Sequence, residues 1–155
     1  MSNNSFFPVF VDSKDKSAIV IGGGKIASRR IGTLIKFDFD IKVVSPEITE
    51  EIEEYVSNGR VEWIESRFEE AFIQDAFIVL ACTDDRNVNH DAGIKAKKSG
   101  ILVSVCDARD ESTFWFPAIA KNEQLTVGLV GSGEEHETTR KAAAELRKII
   151  DGKAY

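Results

Sequence analysis

The sequence predicts an α/β fold: a doubly wound parallel sheet carrying a short C-terminal β-hairpin and helix. Three observations predict it. Short apolar runs alternate with amphipathic segments as far as Asp107, in the order β-α-β-α-β-β-α-β. Three consecutive glycines, Gly22 to Gly24, separate the first apolar run from the first amphipathic one. Beyond Asp107 the alternation gives way to two extended stretches around a polar turn.

Each element follows from its own pattern. "SAIVIG" (17–22) reads as the first strand, and the helix after it runs through "IASRRIGTLIKF", where Ile26, Ile31, Leu34 and Ile35 share one face. "DIKVVSP" is the second strand. "EITEEIEEYVSNG" is a helix that turns Ile48, Ile52, Tyr55 and Val56 inward and stops at Asn58-Gly59. "RVEWIES" alternates like a third strand, while "DAFIVLACT" is continuously apolar and therefore central. "DRNVNHDAGIKAKKSG" is a helix ending in lysines and a glycine. "ILVSVCD" is a fifth strand, also expected to be central. "STFWFPAIAKNEQLTVGLVG" forms a hairpin about "KNEQ", and "ETTRKAAAELRKIIDG" a last helix stopped by Asp151-Gly152. Residues 1–112 thus read as a nucleotide-binding part and 113–155 as the hairpin and helix.

The 155 residues are 43% hydrophobic and 30% charged, a composition able to build a core of its own. "MSNNSFFPVF" lacks the basic and long apolar regions of a signal peptide. Charges interrupt every apolar run well before the ~18 residues of a bilayer span. A cytoplasmic protein with no membrane partner is expected. Two cysteines give no disulfide framework, and the net charge of −6 argues against non-specific nucleic-acid binding. A small anionic ligand remains compatible, because a few local cations decide its binding.

Gly22, Gly24 and Ala27 stand at the spacing G-x-G-x-x-A, between a strand and a helix. The first glycine permits a tight turn, the second lets backbone approach a pyrophosphate, and the small third residue lets helix and strand pack closely. The helix N-terminus then offers N–H groups and partial positive charge to phosphates. A ligand-free glycine turn is the alternative. The acid that commonly ends the second strand and holds a ribose is missing, since the chain reads "VVSPE". Ser45 offers a hydroxyl there, Glu47 lies beyond Pro46, and no arginine awaits a 2′-phosphate. NAD is therefore expected over NADP.

Ligands of such sheets lie beyond the carboxyl ends of the strands. Thr83-Asp84-Asp85, after strand four, either caps the next helix or sets Thr83 against the ribose or nicotinamide. Asp107, ending strand five, suits proton transfer or simply stabilises a turn. Cys82 and Cys106 end neighbouring strands and His90 is not far off, but they lack the paired spacing of a zinc site. No metal is expected, and both cysteines read as small buried hydrophobes. Lys95, Lys97 and Lys98 read as a solvated helix end.

Taken together, these segments resemble the precorrin-2 dehydrogenase family, the N-terminal module of siroheme synthase. "VIGGGKIASRR" is similar to the family's "VVGGGxVAxRK", "VVSPE" to "VVAPE", and "ACTDDRNVN" to "AATDDxxLN". "ILVSVCDARDESTFWFPAIA" is similar to "ILVNVVDDPxxxxFIFPAIV", and "LTVGLVGSG" to "LTIAISTGG". The glycine motif is generic, but the ordered set is specific. It implies a Rossmann-like fold and NAD-dependent oxidation of precorrin-2 to sirohydrochlorin, toward siroheme and in some organisms cobalamin. By position, Asp107 corresponds to the family's catalytic aspartate, as general base or orienting group. Lys25 and Ile26 correspond to cofactor contacts opening the first helix, and Pro46 and Glu47 to contacts after strand two, where backbone partly replaces the missing acid. With Gly22, Gly23, Gly24, Ser45 and Thr83 they make up the expected cofactor site.

The resemblance also implies a homodimer formed through the hairpin and last helix. Lys25, Arg29 and Arg109 are candidates for the substrate's carboxylates. The chain departs from the family at "GSGEEHETT", which replaces "STGGxSP", and at Ser104, which replaces Asn. Bifunctional members also insert iron; the chain resembles the short, single-purpose kind. Two rivals stand beside this reading: an NAD-sensing module, which needs no Asp on strand five, and a dehydrogenase of another small substrate.

Overall fold

The computed structural model describes residues 6–132 and 136–152. Val9–Phe114 form one compact unit; the residues from Trp115 onward, with the described residues up to Pro8, form a second. In the first unit, five parallel strands, β1 (Ser17–Ile21), β2 (Asp40–Val44), β3 (Glu62–Ile64), β4 (Ile78–Ala81) and β5 (Leu102–Val105), lie in the order β3-β2-β1-β4-β5. Three helices join them: α1 (Lys25–Leu34), α2 (Glu50–Ser57) and α3 (Arg86–Lys98).

The register sets Ile21 opposite Val44 and Ala81, and Ala81 opposite Val105. With Val44 also opposite Ile64, all five strands finish level at one end of the sheet. The chain runs outward from β1 to β3 and returns to β4 on the other side, so the order reverses between β1 and β4. A crevice at that reversal, beyond the carboxyl ends, is where such sheets take ligands.

Both faces of the sheet are buried, which explains the continuous apolar runs. Ile19, Ile21, Val79, Ala81, Val103 and Val105 share a core with Ala92 and Ala96 of α3. Residues of the opposite parity, Ala18, Val20, Val43 and Leu80, are buried as well, as are Ile31 and Leu34 of α1 and Ile52 of α2.

Four expectations need correction. First, β5 is the edge of the sheet, not a central strand. Its outward N–H groups are closed off locally: Val103 donates to Thr113 Oγ1 at 2.8 Å and Val105 to Ser112 Oγ at 2.9 Å. Side-chain hydroxyls replace a sixth strand there. Second, α2 starts three residues later than its pattern suggests. Thr49 is its N-cap, accepting from the Ile52 N–H, and three glutamates in the first turn face the positive end of the helix dipole. This leaves Ile48 in a loop. Third, Ile26 is 41% exposed instead of facing the core with Ile31 and Leu34. Fourth, Lys95 is not a freely solvated helix end: it bonds Asp91 at 2.7 Å, lies 3.9 Å from Glu70 and covers the Phe68 ring.

In the second unit, β6 (Ala118–Lys121) and β7 (Thr126–Leu129) form the expected antiparallel hairpin. Asn122 shapes its turn, accepting from the Gln124 and Leu125 N–H groups. α4 (His136–Ile150) packs on the hairpin, with Arg147 donating to the Ile119 carbonyl and Asn122 to that of Ile150. Gly152, at φ +70°, stops it as predicted. Residues 133–135 of the altered "GSGEEHETT" turn lie outside the described residues.

Candidate functional site

The glycine turn is built by packing as much as by its own flexibility. Gly22 has φ +107°, and a Cβ there would lie 2.7 Å from the Cys82 carbonyl oxygen. The switch between β1 and β4 thus closes only over a hydrogen atom. A Cβ on Gly23 would come within 2.0 Å of the Glu47 carbonyl oxygen, because the loop after β2 crosses directly over it. The Thr49 N–H donates to the Gly23 carbonyl at 3.0 Å, holding that crossing in place. The middle glycine, a free choice in the generic motif, is forced here by its neighbour. Gly24 is the opposite case: a Cβ there meets nothing within 4 Å.

That open side faces the start of α1. Gly24 is the N-cap without a side-chain bond, the first turn holds no acid, and the first helical bond runs from the Ser28 N–H to the Gly24 carbonyl. The N–H groups of the first turn therefore lack helical partners and suit an anion. Lys25 and Ile26 beside them are exposed, as are Pro46 and Glu47. Ser45 is buried, its carbonyl accepting from Trp63 Nε1 at 2.9 Å and its N–H donating to Ile64. This set fits a dinucleotide: open backbone donors at a helix start, an exposed apolar side chain, and no carboxylate within the first turn.

The ends of β4 and β5 are built from side chains instead. Asp85, not Thr83, caps α3, accepting from the Asn87 and Val88 N–H groups. The Thr83 hydroxyl lies 2.7 Å from Asn89 Oδ1, and fully buried Asn89 also bonds the Thr83 N–H and carbonyl. This lock is why the "TDD…N" segment needs its asparagine.

Asp107 follows Cys106 at the end of β5, its side chain 37% exposed. Arg86, opening α3, reaches Asp107 Oδ1 at 3.5 Å and also pairs with Glu111, which bonds His90 Nδ1 at 3.0 Å. The bond from Arg86, then that from His90, holds the Glu111 carboxyl below its usual range, and Glu111 in turn raises the Arg86 guanidinium. Sequence reasoning missed Arg86. Its signal was position, the first helical residue after strand four, but its pairing with Asp107 and Glu111 depends on how its side chain reaches across the ends of β4 and β5.

The glycines, the 45–47 loop and Thr83 are therefore gathered at the β1–β4 reversal, with Asp107 one strand further along. The carboxyl ends of the strands account for every expected site residue. A cleft of about 380 Å³ lies at the opposite end of the sheet, among Asp40, Lys42, Arg60 and Glu62 where β2 and β3 begin, away from this chemistry. Among the described residues, no helix is long and apolar enough to cross a membrane.

Residues 9–118 match a family described as "Putative NAD(P)-binding". The chain belongs to this family. Within it, the chain falls in the precorrin-2 dehydrogenase and siroheme synthase N-terminal group that its motifs resemble. It is 40% identical over 144 residues to the "Probable multifunctional siroheme biosynthesis protein HemA" of Ruminiclostridium josui, covering 92% of this chain and 28% of that protein. It is 30% identical to the siroheme synthase of Photorhabdus laumondii subsp. laumondii, over 94% of this chain and 31% of that one. The chain thus spans less than a third of the length of these curated relatives. A solved structure, "SirC, precorrin-2 dehydrogenase", shares the fold with a TM-score of 0.74 and 25% identity, over 93% of this chain and 71% of that one.

Proposed function

We propose that the chain oxidises precorrin-2 to sirohydrochlorin with NAD, in siroheme biosynthesis. The observation that carries this reading is the likeness to SirC over 93% of the chain. The pairing of an open glycine-turn helix start with an exposed aspartate one strand beyond the sheet reversal supports it. NAD, held by these residues, would supply the acceptor for the hydride that the tetrapyrrole loses.

The chain's own residues position the reactants and handle the proton. Gly24 and the first-turn N–H groups of α1 receive the pyrophosphate, while Gly22 and Gly23 let the turn close beneath it. Lys25 and Ile26 flank that position. Ser45, Pro46 and Glu47 border the adenosine end, largely through backbone. Thr83 borders the nicotinamide end, its hydroxyl retained by Asn89. Asp107 takes or steers the proton lost with the hydride, and Arg86 at one carboxylate oxygen leaves the other to face the substrate. Lys25, Arg29, Arg86 and Arg109 supply positive charge for the substrate's carboxylates. The protein works in the cytoplasm as a homodimer, with residues 113–155 contributing the contact between copies and part of the substrate surface.

Absorbance spectra recorded anaerobically with precorrin-2 and NAD test this. The sirohydrochlorin spectrum should grow in, with NADH formed mole for mole. A spectrum unchanged by NAD, or turnover with NADP alone, overturns the corresponding half of the reading.

A further inference from the structure

Cys82 and Cys106 follow β4 and β5 directly, one step beyond the register pair Ala81–Val105. The parallel ladder therefore sets them side by side, and their sulfurs are 2.7 Å apart as free thiols. Neighbouring strands lie ~4.8 Å apart, within the Cα spacing a disulfide spans. Bond formation then needs less than about 1 Å of sulfur movement, which rotation of the side chains supplies.

The two thiols are not equivalent. Cys82 is buried at 4% exposure, whereas Cys106 is half-buried and reachable from the mouth of the sheet. The hydrogen bond from Cys82 holds the Cys106 thiol down to about 7, assisted by Arg30 and opposed by burial and Asp107. Cys82 is pushed up by the same bond and by burial. One thiol is thus a nucleophile near neutral pH, and the other a protonated partner in contact behind it. Among the described residues, no third His, Cys, Asp or Glu groups with them to hold a metal. The reaction proposed above uses neither sulfur, and the family pattern carries Ala and Val at these positions.

We propose that Cys82 and Cys106 are a reversible dithiol–disulfide couple, Cys106 attacking and Cys82 resolving, oxidised by low-molecular-weight disulfides. The Cys106 thiolate attacks one sulfur of the oxidant, forming a mixed disulfide and expelling one thiolate. Cys82 gives up its proton and attacks the Cys106 sulfur, closing the intramolecular bond and expelling the second thiolate. Two protein thiols lose two electrons, and one oxidant disulfide becomes two thiols. Thr83 and Asp107 are the residues next in chain, so the modification sits at the centre of the candidate site.

The test is intact-mass spectrometry and iodoacetamide alkylation of the folded chain after incubation with glutathione disulfide. It needs neither NAD nor tetrapyrrole, so it stands or falls apart from the proposed reaction. The wild type should lose the mass of two hydrogens, retain no glutathione and resist alkylation; dithiothreitol should restore the two hydrogens and the alkylation. Cys82→Ala should stop at a glutathione adduct on Cys106, and Cys106→Ala should leave Cys82 unmodified, with circular dichroism confirming that both variants fold. A wild type that keeps the adduct, links to a second copy, or alkylates as the reduced protein does overturns the proposal without reference to the variants.

Discussion

The two halves of the candidate site are made differently. Around Gly22 to Gly24 the site is backbone: main-chain atoms of Cys82 and Glu47 press on two glycines, and the third opens onto a helix start whose first turn holds no acid. At the ends of β4 and β5 the site is side chain: Arg86 pairs with Asp107 and Glu111, His90 is hydrogen-bonded to Glu111, and two thiols lie beside them. A backbone site tolerates no added atom where it is packed, yet it asks little of residue identity where it is open. A side-chain site keeps its fold under substitution and loses its chemistry. Each prediction that follows tests one side of that contrast.

Gly24→Asp has the largest expected effect on binding. NAD affinity should be lost, because a carboxylate would meet the pyrophosphate, yet the protein should stay folded, since the position is open and Asp is a good N-cap, within a few tenths of a kcal/mol of Gly. Calorimetric titration with a parallel melting curve checks both; unchanged affinity would remove the turn from the site. Asp107→Asn should bind NAD and fold normally while sirohydrochlorin formation falls by about 10²–10⁴-fold. Near wild-type turnover would make Asp107 a turn residue.

Gly23→Ala breaks the packed half. Its Cβ would meet the Glu47 carbonyl at 2.0 Å, so the β2–α2 loop must shift, costing roughly 1–3 kcal/mol or more. Unfolding free energies from denaturant titration of this variant and of Gly24→Ala should differ by that amount; equal values would show that the crossing yields freely. Thr83→Val should lower stability by about 1 kcal/mol through loss of the Asn89 bond, with NAD affinity kept. Lower affinity at unchanged stability would instead assign the hydroxyl to the cofactor.

The smallest effect is electrostatic. Cys106 alkylation should rise with pH around a midpoint near 7, and the midpoint should move upward in Cys82→Ala, which removes the largest lowering influence. Because the thiol's folded value is depressed from 9.0, the stability it adds is complete above that ordinary value and is lost as pH falls through about 7. Arg30 favours the thiolate and Asp107 opposes it, so a midpoint at the ordinary thiol value of 9.0 would show that neither charge nor the Cys82 bond reaches the sulfur.

Periodicity and glycine spacing made the succession of strands and helices legible, because both faces of the sheet are buried and each of α1 to α4 has a side-chain or glycine signal at one end. The edge position of β5 was not legible: its apolar run resembles that of a central strand, and the hydroxyls that complete it come from Ser112 and Thr113, outside any strand. The start of α2 was misplaced because Glu47 and Ile48 suit a helix, while tertiary contact with Gly23 keeps them in a loop. Asp107 and the open glycine were readable from strand ends alone. The ends of β4 and β5 were read as neighbours, but the ion pairs of Arg86 and the 2.7 Å thiol contact were not legible, since both depend on how the side chains turn at those ends.

The covered edge of β5 also bears on how copies of the chain behave when crowded. A bare strand edge recruits further strands, through which folded proteins come to stack into fibres. Here one margin of the sheet has its outward amides already engaged by Ser112 and Thr113, and the other is β3, three residues long. Neither margin gives an incoming strand a run of donors and acceptors to copy, so the five-stranded sheet ends with this molecule.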